Sequence, residues 1–130
     1  MHLEARALRW VNVWLATGWC LIAAVIYLSL TPAPPKMDMP AGDKIGHVLA
    51  YTALMFWFIQ IYYARRSRVL IALGFVLLGI SLEFLQGLGG ERQFEVADMI
   101  ANTAGVMIGW ISGPPRTGNL LSRVESVMLR

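Results

Sequence analysis

Apolar residues along this chain come in long blocks, separated by short stretches where prolines, glycines and charges collect. The first block, 10–30, carries no charge at all. The second, 45–64, is interrupted by His47 and Gln60, and the third, 69–88, holds Glu83 and Gln86 near its end. The fourth and weakest, 96–112, contains Asp98 and Asn102, so its polar side chains should face protein rather than lipid. A membrane-crossing helix needs about 20 predominantly apolar residues. The pattern therefore predicts an all-α, polytopic membrane protein, a bundle of four transmembrane helices forming one domain over 1–130.

The separators agree. Residues 31–43 contain four prolines and a glycine, which cannot continue a helix. Arg65, Arg66, Ser67 and Arg68 read as a short basic, topogenic turn, with anionic-lipid contact as an additional role. Residues 87–95 hold three glycines and three charged residues. The first block is read as an uncleaved helix. It exceeds the roughly 7–15 apolar residues of a secretion signal, and Pro32, Pro34 and Pro35 crowd any cleavage position near Ala33.

Composition sharpens this reading. Only 15% of residues are charged, against about a quarter in soluble domains. Cys20 is the sole cysteine and is read as a small buried hydrophobe. The net charge of +3 and pI near 9.4 invite a nucleic-acid partner, but the charges are sorted along the chain instead. Four crossings put Arg6, Arg9, Arg65, Arg66, Arg68, Arg116, Arg123 and Arg130 on one side, eight of the eleven basic residues. Lys36, Lys44 and Arg92 fall on the other. The positive-inside rule places both termini in the cytoplasm of an inner-membrane protein, and nucleic-acid binding is excluded for want of a basic stripe. Most acids lie outward: Asp38, Asp43, Glu83, Glu91, Glu95 and Asp98.

Depth then groups the polar residues. At about 1.5 Å per helical residue, His47, Glu83 and Asp98 all lie roughly 5–7 Å below the outer ends of their helices. Asp43, His47 and Tyr51 share one helical stripe; Gly79, Glu83 and Gln86 share a second; Asp98, Asn102, Gly105 and Gly109 share a third. Turned inward, the stripes would form a polar cup rimmed by Lys44 and Arg92. Ionisable groups inside a membrane are costly and mark functional sites; the competing reading is a structural lock between helices. Gly105 and Gly109, with Ala101, form a small-residue face suited to close helix packing.

The motifs Asp43-Lys44-x-Gly46-His47-x-x-x-Tyr51, Glu83-x-x-Gln86 and Arg92-x-Phe94-Glu95-x-x-Asp98-x-x-Ala101-Asn102-x-x-Gly105, in this order, resemble the VanZ-like family. The resemblance covers about 85 residues, from the end of the first block into the fourth. It implies a small integral membrane protein of a family named for a protein linked to resistance against glycopeptide antibiotics, teicoplanin in particular. Some members are called phosphotransbutyrylases, but this chain has no Gly-rich phosphate loop or soluble acyl-transfer domain.

Three functions fit. The first is a binding site for an envelope lipid, a lipid-linked wall precursor or a lipoglycopeptide-type amphiphile. Asp43, Lys44, His47, Tyr51, Glu83, Gln86, Arg92, Asp98 and Asn102 would contact the ligand, with Lys44 and Arg92 meeting phosphate or carboxylate. The second is an enzyme using His47, Glu83 and Asp98 as acid–base groups or, without any HExxH-like spacing, as metal ligands. The third is a subunit that acts through a protein partner or a second copy of itself. No cofactor or resident metal is expected, and membrane lipids are the expected surroundings. Transport is disfavoured because the polar residues cluster at one face.

Overall fold

The computed structural model describes residues 5–32, 38–90 and 93–130. Five helices follow one another: α1 (Val11–Leu30), α2 (Gly42–Ile61), α3 (Arg65–Leu88), α4 (Val96–Ser112) and α5 (Leu120–Met128). Among the described residues the only extended pairing is an isolated bridge between Ala5 and Tyr62. The helix limits have local causes. Thr31 precedes Pro32 and is held extended, which ends α1. Pro114 and Pro115 stand just beyond α4. Asp43 in the first turn of α2 and Asp98 in that of α4 complement the positive helix ends.

Three helices, α1, α2 and α3, are long and apolar enough to cross a membrane, and α4 is a shorter apolar helix of 17 residues. At about 1.5 Å per residue, α4 spans roughly 25 Å, a little less than a bilayer core. The distribution of side chains is that of a protein in lipid. Gln60, Arg68, Glu83, Gln86, Asp98 and Asn102 are buried, while Trp19, Leu77, Leu88, Ile100 and Met107 point outward. Only Gly18 of α1 is buried, so that helix lies at the periphery, and Cys20 is exposed on its surface rather than packed inside.

The core centres on α2, which packs against all four other helices. Tyr51, Leu54, Met55, Phe58 and Ile59 meet Phe75 of α3 and Val106 of α4. Phe58 and Phe75 meet edge to face, with centroids 5.5 Å apart. Helices α2 and α4 run parallel, since their contacts advance together from Lys44–Asp98 through His47–Asn102 to Gly109 against Thr52. Gly105 and Gly109 supply the closest approach: a Cβ on Gly105 would lie 2.5 Å from the Val48 carbonyl oxygen, and one on Gly109 2.6 Å from that of Thr52.

The structure departs from the apolar pattern in two places. Helix α3 begins at Arg65, so the four residues read as a basic turn form its first turn. Arg68 is buried and donates to the carbonyls of Tyr62 (3.2 Å), Ile59 (3.4 Å) and Pro114 (2.5 Å), closing the ends of α2 and α4. Hydropathy marks where lipid contact starts, not where the helix starts. Helix α5 was not foreshadowed by any apolar block. It is held by long-range polar contacts: Leu120 N–H donates to Gln60 Oε1 (2.7 Å), and Asn119 Nδ2 donates to the Gln60 carbonyl (2.6 Å). The Glu125 carboxylate accepts from the amides of Arg9 (2.9 Å) and Trp10 (2.8 Å) and from the Trp14 indole (2.7 Å).

Candidate functional site

The parallel course of α2 and α4 brings their first turns side by side. Lys44 Nζ lies 2.8 Å from Asp43 Oδ2 and 2.5 Å from Asp98 Oδ1, and also contacts Glu95 Oε2. One turn deeper, His47 Nδ1 and Asn102 Oδ1 are 2.8 Å apart, and His47 Nε2 lies 3.5 Å from Asp98 Oδ2. The imidazole thus bridges two residues of α4 that are four positions apart. Gly79 of α3 leaves room for Asn102: a Cβ there would come within 2.9 Å of its Nδ2.

Helix α3 closes the other side. Glu83 is 1% exposed, and its Oε1 accepts the Glu95 amide at 2.7 Å. The Tyr51 hydroxyl is buried with no hydrogen-bond partner among the described residues and lies near enough to feel the Glu83 charge. Gln86 Nε2 donates to the Ser29 carbonyl (2.6 Å), joining α3 to the last turn of α1.

Among the candidate residues, Asp43, Lys44, His47, Asp98 and Asn102 come together directly. Tyr51, Glu83 and Gln86 form the adjoining wall, and Arg92 lies outside the described residues, as does Lys36. Of His47, Glu83 and Asp98, His47 engages Asp98, and Glu83 accepts the Glu95 amide. Glu95 completes the cluster although it was not among the candidates. Its signal is positional, three residues before Asp98 at the start of α4.

Two properties decide what this cluster can do. Exposure falls with depth, from the Asp43 and Glu95 side chains (53% and 43%) through Lys44 (27%) and His47 (14%) to Asp98 (7%). Charge is unbalanced: the carboxylates of Asp43, Glu95 and Asp98 surround Lys44, their one lysine or arginine partner among the described residues. Oxygens of Asp43, Glu95 and Asp98 lie within 4.8 Å of one another, a spacing that suits a hard cation. The Lys44 ammonium contacts all three and takes the place such a cation would have. Because it is saturated by carboxylates, Lys44 has little to offer an anionic ligand.

Residues 6–114 match the family model described as VanZ/LLP1, a span that includes every residue of the cluster. An uncharacterized protein of Schizosaccharomyces pombe is 28% identical over 88 residues, which make up 65% of this chain and 52% of the yeast protein. The chain thus spans about half the length of that curated relative. No solved structure matches.

Proposed function

The chain belongs to the VanZ/LLP1 family, and from that premise we propose that this membrane protein crosses the bilayer four times and binds the head of an envelope amphiphile at its outward-facing acidic cluster. The sorting of basic residues supports this topology, with both termini in the cytoplasm of the inner membrane. It directs the starts of α2 and α4, with Lys44, His47 and Asp98, to the outer side.

The observation that carries the binding reading is the carboxylate excess, graded from exposed to buried, around a lysine already saturated. Such a site favours an amine- or hydroxyl-bearing head, as in an aminophospholipid, a wall precursor or a lipoglycopeptide, over a phosphate alone. Asp43 and Glu95 meet the incoming cation, and His47 and Asp98 wait below. The test is native mass spectrometry in mild detergent with phosphatidylethanolamine and phosphatidylglycerol. Wild type should retain phosphatidylethanolamine, and the Asp43→Asn/Glu95→Gln double variant should lose it. Equal retention by both proteins would dismiss the proposal.

A second reading rests on the same contacts. Glu83 to the Glu95 amide and Gln86 to Ser29 make the polar layer a lock that ties α3 to the start of α4 and to α1. Under that reading Glu83→Gln lowers stability in detergent and leaves lipid retention unchanged. An intact but lipid-free variant would speak for the binding site instead.

A further inference from the structure

At the opposite end of α2 from Lys44, Tyr63, Arg65, Arg68 and Trp110 line a pocket of about 330 Å³. Its electrostatics are the reverse of the acidic cluster. Arg68 is 6% exposed and spends its donors on three carbonyl oxygens. Neither Arg65 nor Arg68 has a carboxylate partner among the described residues. Both lie in the first turn of α3, where the helix dipole already adds positive potential. That turn contains no acid, and the N-cap residue Ala64 offers no side-chain cap.

A separate observation adds to this. The Arg6 guanidinium stands over the Tyr63 ring at 5.9 Å, and its Nε is buried with no hydrogen-bond partner among the described residues. Arg6 thus adds a cation beside Tyr63, one of the two aromatic walls of the pocket. Arginines without a carboxylate partner among the described residues, gathered at a helix start, are an arrangement that binds phosphate.

The surroundings choose the kind of phosphate. Tyr63 is half exposed, and Trp110 continues into the outward apolar face of α4 at Met107 and Ile111. Aromatic rings of this kind sit at the level of lipid headgroups. A free phosphate ion has no use for that flank, whereas a lipid fills both parts, headgroup against arginines and chains along α4. We infer that this pocket is a binding site for the phosphodiester headgroup of an anionic lipid. It lies at the far end of the helices from the acidic cluster and does not depend on the function assigned there.

Native mass spectrometry of the whole chain in nonionic detergent, titrated with phosphatidylglycerol or phosphatidylcholine, tests it. Arg65→Gln is the informative variant, because Arg65 is exposed and lines the pocket, whereas replacing Arg68 would also remove the closure of α2 and α4. Arg66→Gln is the control, an exposed arginine of the same turn that does not line the pocket. Wild type should bind phosphatidylglycerol in preference to phosphatidylcholine. Arg65→Gln should weaken that binding about tenfold, the usual effect of one charge-assisted hydrogen bond, and Arg66→Gln should leave it near wild type. Equal effects of the two substitutions, or none from either, would overturn the site. Displacement of the lipid by millimolar inorganic phosphate would overturn the lipid as its occupant. The Asp43→Asn/Glu95→Gln variant should bind phosphatidylglycerol as wild type does, which separates failure here from failure of the outward-facing site.

Discussion

Replacing Gly105 by alanine tests the packing that aligns the acidic cluster. The added Cβ would lie 2.5 Å from the Val48 carbonyl oxygen, 3.0 Å from Tyr51 Cβ and 3.1 Å from the Thr52 amide nitrogen. The first distance is about 0.9 Å short of ordinary van der Waals contact, and the atom it meets is backbone, so the helices themselves must part. Overpacking of this size costs about 1–3 kcal/mol, roughly a five- to 150-fold loss in the ratio of folded to unfolded protein. Separation also strains the Thr52 Oγ1 hydrogen bond to the Gly105 carbonyl (3.1 Å) and, one turn away, the His47–Asn102 contact. Gly74 is the internal control, because a Cβ there meets nothing within 4 Å. Gly74→Ala should be neutral or stabilising by up to about 1 kcal/mol through helix propensity. Equilibrium unfolding in mixed micelles, followed by tryptophan fluorescence, measures both. Equal midpoints for the two variants would refute the argument from close approach.

Three further outcomes are expected. Lys44→Gln removes the cation shared by Asp43, Glu95 and Asp98, so the variant should melt lower and be restored by millimolar calcium, which does nothing for wild type; a variant indifferent to calcium would show that charge compensation is not what holds the cluster. Burial raises the proton affinity of Glu125, but hydrogen bonds from the Trp10 amide, the Trp14 indole and the Arg9 amide more than reverse this, holding the carboxyl below its ordinary value of 4.5. Its contribution to docking α5 is therefore complete above that value and disappears as pH falls below it; tryptophan fluorescence should report the loss in wild type, and the same transition in Glu125→Gln would rule the residue out. Ala41 caps α2 at φ +56°, so Ala41→Gly should raise stability by about 1 kcal/mol in the same unfolding assay; no gain would mean that the turn carries no strain.

The limits of α1 and α4 were readable because prolines stop both helices and leave little choice of end. Depth along each helix placed His47, Glu83 and Asp98 in one layer with Lys44 at its rim, and α2 and α4 do start at the same end and rise together. Saturation of Lys44 was not readable, since it depends on Glu95, an acid outside any helical stripe. The start of α3 was obscured by its arginines, which form helix readily but lower the hydropathy that marks a span. Helix α5 has nine residues and no apolar block, and Gln60 and Glu125 hold it in place. Neither residue signals across the intervening sequence what it will bond.

The Glu125 carboxylate and the Trp10 amide it accepts are separated by 115 positions. A ribosome delivers them in that order, so α1 is in place long before the acid that satisfies its first turn has been made. A nascent chain stalled ahead of Glu125 would hold every apolar helix, yet leave the Arg9 and Trp10 amides and the Trp14 indole with only water or lipid headgroups. The first turn of α1 is thus the last part of that helix to meet its partner.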